Sequence, residues 1–226
     1  MRALLGLAFA LFCAGPLPPA IAQDRPAARG AAAEFWFDPT QLPSFTGTVE
    51  RYLVNPRGEV DSLLFREGPQ VVFPPDLSEM IRQAVPPGRP ILVWGIRARH
   101  APVITMLAYA PNAETPPGVV DRFYWQLGGR AAAEQAERMR AQGTVKSPYY
   151  APQGEIAGAI LEDGTVITIP PGTAEPLRDL LRPGARLAAE GRGVARDIGR
   201  GIAAERIGDS PDSLRPIPPS AEPRRR

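Results

Sequence analysis

The side chains able to do chemistry are few. The chain has one histidine, His100, and one cysteine, Cys13. A His/Cys metal centre needs three or four such ligands converging, so no metal and no other cofactor is expected. A Ser-His-Asp arrangement would have to use His100, and no Gly-x-Ser-x-Gly strand-to-helix turn accompanies it. Gly191-x-Gly193 is followed neither by Lys-Ser/Thr nor by a helical pattern, so it is not a phosphate-cradling loop. Glu59 and Glu155 stand 96 residues apart and read as turn-amide acceptors rather than an acid/base pair. The inventory points away from an enzyme. The one constellation suited to recognition is Tyr52, Trp94, Arg97 and Arg99, which would form an outward-facing platform of aromatic and cationic groups near the end of one strand.

Charge narrows the partners. The 226 residues hold 26 Lys and Arg against 24 Asp and Glu, a net charge of +2 that makes a weak field for a phosphate polymer. Residues 47–110 carry seven basic and six acidic side chains, and residues 143–208 carry eight of each. Single-stranded nucleic acid calls for a basic groove lined with aromatic platforms, so it is the disfavoured partner. A small ligand, a glycan or an envelope protein fits better. The final Arg224, Arg225 and Arg226 fall short of the four to eight basic residues that read as lipid-binding.

Residues 1–22 read as an export signal. Met1 and Arg2 give a positive start, and Ala3 to Ala14 is an apolar run too short to span a bilayer. Ala20-Ile21-Ala22 then supplies a small-x-small cleavage site. Phe12 before Cys13 does not match a lipoprotein box, so no lipid anchor is expected. Cleavage after Ala22 would remove the only cysteine and deliver a periplasmic or secreted protein with no disulfide and no transmembrane segment.

The remaining chain carries a duplication. Residues 47–95 align with 143–191 at a constant offset of 96, without a gap and with 14 identities in 49 positions. Most identities fall at turn residues, such as Pro56/Pro152, Gly58/Gly154, Gly68/Gly164 and Pro87-Gly88/Pro183-Gly184, where backbone geometry restricts the choice. A period this long suits two domains rather than a solenoid. Positions apolar in both copies give the expected core: Val49/Val145, Val60/Ile156, Leu64/Ile160, Phe65/Leu161, Val71/Ile167, Phe73/Ile169, Ile81/Leu177, Val85/Leu181 and Ile91/Leu187.

Each copy reads β-β-β-α-β-β. In the first, the strands are Gly47 to Val54, Glu59 to Phe65, Gln70 to Phe73, Ile91 to Ile96 and Val103 to Ala108. Acid-Gly pairs (Glu67-Gly68, Asp163-Gly164) mark the second turn of each copy. The helix has Asp76 and Glu79 as a capping box, with Thr173 as the cap in copy two. Glu79/Arg82 and Glu175/Arg178 are spaced i, i+3 for surface ion pairs worth about 0.2–0.5 kcal/mol. The fold class is therefore mainly β, two tandem five-stranded barrels with a connecting helical segment. The element order resembles the OB-fold, and among exported proteins it resembles small bacterial periplasmic OB-fold domains. That resemblance implies a binding or envelope-stress role and transfers no ligand-site residue.

The expected boundaries are 1–22 signal, 23–44 extension, 45–110 first domain, 111–140 linker with a helix over 131–141, 141–208 second domain and 209–226 disordered tail. Phe35-Trp36-Phe37 and Phe123-Tyr124-Trp125 are apolar clusters suited to packing or partner contact. The function that follows is a non-catalytic periplasmic binding or adaptor protein. The alternatives are a structural envelope protein acting through protein–protein contacts, or a single-strand-binding OB-fold.

Overall fold

A computed structural model describes residues 38–120 and 136–217. The chain forms two closed five-stranded β-barrels. Barrel 1 consists of β1 (Ser44–Val54), β2 (Val60–Phe65), β3 (Gln70–Val72), helix α1 (Ser78–Ala84), β4 (Pro90–Arg97) and β5 (Val103–Ala110), with a short sixth strand β6 (Gly118–Val119). Barrel 2 repeats this as β7 (Glu137–Tyr150), β8 (Ile156–Leu161), β9 (Val166–Thr168), α2 (Arg178–Leu181), β10 (Arg186–Arg196), β11 (Gly199–Gly208) and β12 (Arg215–Pro216). Strand order is β3-β2-β1-β4-β5-β6, closed by a parallel β3–β5 pairing. The second barrel closes the same way through parallel β9 and β11. Closure pairs the strand edges that an open sheet would expose.

The duplication reaches deeper than sequence identity. Three β-bulges recur at aligned positions: Val49/Arg51 with Val145/Ser147, Leu53/Val54 with Tyr149/Tyr150, and Trp94/Gly95 with Glu190/Gly191. The repeat also continues past residue 95. Trp94 pairs with Ala108 and Glu190 with Arg206, so the offset grows from 96 to 98 across the last hairpin. The sixth strands then match, since Val120 donates to the carbonyl of Leu107 as Ile217 does to that of Glu205.

Barrel 1 has the bulkier filling. Phe65, Phe73, Tyr52 and Met106 share its core, where barrel 2 has Leu161, Ile169 and Ala204 at the first, second and last of these places. Burying each large side chain is worth roughly 1.5–3 kcal/mol. Barrel 2 also has the shorter helix, four residues against seven. Pro176 delays it, occupying the preceding 3-10 turn Glu175–Leu177 near its start, where proline is tolerated.

Several expectations are corrected. Neither helix has the foreseen cap: Pro74 and Leu77 occupy the cap positions in barrel 1, and the Thr173 hydroxyl donates to the Pro170 carbonyl 2.7 Å away. A 3-10 turn, Pro75–Leu77, leads into α1 instead. The helix expected over 131–141 gives way to strand from Glu137 onward, because β10 runs to Arg196 and supplies pairing partners as far as Gly193↔Glu137. The tail is ordered to Ile217: Ser213 Oγ donates to Asp209 Oδ1 at 2.6 Å, β12 pairs with β11, and Ile217 packs on the barrel core. The export signal, the extension up to 37, the 123–125 cluster and the arginine tail lie outside the described residues. Both i, i+3 ion pairs form, at 3.3 and 2.7 Å.

Candidate functional site

The two barrels meet through the same surface, related by a pseudo-twofold axis. Glu50 and Lys146 occupy aligned positions and pair with each other at 3.0 Å, which places them at that axis. Leu53, Leu64, Ile160, Val166 and Tyr149 form one apolar cluster between the barrels. Leu53 aligns with Tyr149 and Leu64 with Ile160, so the contact is self-complementary. The turn between first and second strands of each barrel rests on the last hairpin of the other. A Cβ on Gly58 would lie 2.8 Å from Val194, and one on Gly154 would lie 3.0 Å from Ala98, the residue aligned with Val194. Both glycines have positive φ, 80° and 96°, so turn geometry and inter-barrel spacing demand the same residue.

This surface is the one by which OB-folds take oligonucleotides and oligosaccharides: strands two and three with the first and last hairpin loops. Gln70 on β3 is buried and spends its side chain on barrel 2. Its Nε2 donates to the Tyr150 carbonyl at 3.1 Å and its Oε1 accepts from the Tyr150 N–H at 2.9 Å. Val72 packs with Ala101, Val103 and Tyr150. Each barrel therefore packs against part of this surface of the other.

Of the four residues singled out as a recognition platform, three lie at the surface of β4 and the loop after it, and one is buried. Leu92 and Trp94 alternate with core Ile91 and Val93, and Trp94 is half-buried on the outer side of β4. Arg97 ends that strand, and Arg99 and His100 follow in the β4–β5 loop, all exposed. Ile96 beside them is 58% exposed. Arg97, Arg99 and His100 form no ion pair with a described residue, while Ala98 and Ala101 of the same loop turn inward to the junction. Tyr52 is the correction. It is buried in barrel 1, its ring set edge-on to Phe73 at 6.5 Å, and its hydroxyl donates to the Val85 carbonyl at 2.6 Å. Burial pushes its phenol far above the usual range. The bulge after Val49 inverts strand parity, so Tyr52 and Val54 point in and Leu53 points out.

A second polar surface, not foreseen, lies at the barrel junction. A cleft of about 630 Å³ separates the 55–59 turn and β2 of barrel 1 from β9 and β11 of barrel 2. Asp61 is half-buried on its wall. Its carboxylate accepts from Asn55 Nδ2 at 2.7 Å and from the Ser62 hydroxyl at 3.2 Å. Desolvation by burial raises its proton affinity most strongly, and those two hydrogen bonds oppose the rise. The Tyr149 hydroxyl lies against the same carboxylate, and burial raises its pKa as well. Arg57 pairs with Glu59 at 2.9 Å, and Arg192 donates to the Ala136 carbonyl at 2.8 Å. Among the described residues, no three His, Cys, Asp or Glu side chains gather as a metal site, and no helix is long and apolar enough to cross a membrane.

Comparison with known protein families, characterised proteins and solved structures finds no match to this chain.

Proposed function

We propose that the protein is a non-catalytic binding or adaptor module of the bacterial envelope. In this reading it is exported by residues 1–22 and engages an acidic segment of a partner protein along the outer edge of barrel 1. The observation that carries the reading is the run Trp94, Ile96, Arg97, Arg99 and His100. It combines an exposed aliphatic group, a half-buried aromatic and three cationic or basic groups without ion-pair partners among the described residues. Aromatic and arginine side chains dominate binding energy at protein interfaces, and unpaired exposed arginines steer acidic partners. The junction supports the same view, because a single strand of nucleic acid would have to displace one barrel to reach the other's ligand face. In barrel 2 the counterpart of Trp94 is Glu190, which is buried and held by Arg140 at 3.1 Å, so the edge is specific to barrel 1.

The test is affinity capture from an envelope extract with three baits: the exported chain, Trp94→Ala, and Arg97→Glu with Arg99→Glu. The expected result is one stoichiometric acidic protein, released by moderate salt and lost from both variants while their melting temperatures stay within about 2 °C of the parent. A partner retained equally by all three baits would remove this edge from the reading.

A further inference from the structure

The junction cleft goes beyond that reading and uses a different surface. We infer that it is a binding site for a small neutral polyhydroxylated molecule of the sugar class. Its volume, about 630 Å³, falls in the range of small-molecule sites. Its lining presents an amide (Asn55), a carboxylate (Asp61), two guanidiniums (Arg57, Arg192), a phenol (Tyr149) and a hydroxyl (Thr168). Planar amide, carboxylate and guanidinium groups match pairs of vicinal hydroxyls two bonds at a time. Pro56, Ala203 and Ala204 offer an apolar floor for the C–H face of a sugar ring. An anion would meet Asp61 and Glu205, and a cation would meet the two arginines. The mixture of signs therefore selects a neutral ligand.

The pseudo-symmetry separates this from a merely structural polar network. The same places on the other side of the junction hold Ala157 for Asp61, Gln153 for Arg57, Leu53 for Tyr149, Val72 for Thr168 and Ile96 for Arg192. Leu53 and Val72 are buried there. Four of these five counterparts are apolar, so the fold does not require the polar set at these places. The polar groups of the cleft find partners within the chain, and a ligand that exchanges with those partners accounts for their presence in one half alone.

The test is titration calorimetry on the full chain. The probes are glucose, N-acetylglucosamine and its β-1,4-linked disaccharide, with inorganic phosphate and spermidine as charged controls. The variant Asp61→Ala, Thr168→Val, Arg192→Ile installs the residues found at the equivalent places. Thr168→Val alone serves if the triple variant does not fold. The expected result is saturable binding of at least one sugar, weakened tenfold or more in the triple variant, about threefold in the single one, and unchanged by Arg97→Glu. No saturable binding of any of the three sugars would overturn the inference. So would tighter binding of phosphate or spermidine, or sugar binding unaffected by the cleft variants.

Discussion

The two halves of the barrel junction descend from one pattern and have diverged in opposite directions. Where the last hairpin loop of barrel 1 meets the first turn of barrel 2, Val72, Ala101 and Val103 close on Tyr150 and leave an apolar seam. Where the first turn of barrel 1 meets the last hairpin of barrel 2, the polar side chains of Asn55, Asp61, Thr168 and Arg192 border an open cleft. The strand pairings supply the reason. Val103 of β5 corresponds to Gly201 of β11. A Cβ on Gly201 would stand 2.3 Å from the backbone of Asn55. In one half a side chain fills the seam, and in the other the backbone of one barrel presses directly on its neighbour. That close approach carries the Asn55 turn, with its polar side chains, to the cleft wall. An isologous contact can thus keep its framework while the two halves take different chemistry.

The sharpest way to break this comparison is to give barrel 2 the residue barrel 1 uses. Gly201→Val has no room beside Asn55, and the backbones must part. Overpacking of this kind costs about 1–3 kcal/mol, or more where backbone is the obstacle. For a chain of this size that lowers the melting temperature by roughly 2–12 °C, as calorimetry will read. The converse change, Val103→Gly, opens a cavity without a clash and costs through lost burial and backbone entropy instead. If Gly201→Val melts with the parent, the close approach does not shape the cleft.

A smaller effect sharpens the pseudo-twofold axis. Glu50 and Lys146 face each other from aligned positions and are partly buried, at 19% and 29% side-chain exposure. Barrel 1 pairing with a second barrel 1 would set Glu50 against Glu50, and two copies of barrel 2 would set lysine against lysine. Opposite charges at the axis therefore favour the mixed pair and penalise self-pairing. Lys146→Glu should destabilise the chain by about 1 kcal/mol, a value discounted for the remaining exposure, and Glu50→Lys by a similar amount. The double exchange should recover most of the loss in denaturant titrations. Additive losses would mean that the pair does not meet as the axis requires.

Much of the fold was legible in the sequence because it is written twice. Gly58, Gly68 and Pro87-Gly88 recur where the chain turns, and the inward pair Val71 and Phe73 lies in the barrel core. The junction left a fainter mark. Leu63 and Leu64 are consecutive, as are Ala159 and Ile160. One of each pair fills a barrel and the other meets the neighbouring barrel. Strands apolar on both faces are the signature of a sheet covered on both sides, and that was the available signal. Tyr52 was misread because a bulge, invisible to strict alternation, changes the face of every later residue in β1. The cleft could not be read at all. Its members span residues 55–205 in sequence, and only the pairing of whole barrels brings them together.

The smallest expected effect concerns the carboxylate that most distinguishes the polar half. In the folded chain the proton affinity of Asp61 is raised above its ordinary value of 3.8, chiefly by desolvation. A carboxyl group whose folded pKa is raised stabilises the fold fully only below its unfolded pKa. The contribution disappears as pH rises through the folded value. Once ionised, Asp61 places an unfavourable charge in the cleft, where Glu59 adds to the strain and Arg57 relieves it. Asp61→Asn removes the charge and keeps an amide oxygen that can accept from Asn55 Nδ2. The variant should melt above the parent at pH values above the raised folded pKa of Asp61, and the gain should shrink as pH falls below that pKa toward the ordinary value of 3.8. A constant loss at every pH would mean instead that the hydrogen bonds of the carboxylate outweigh its desolvation. The polar half would then be as well satisfied as the apolar half it differs from.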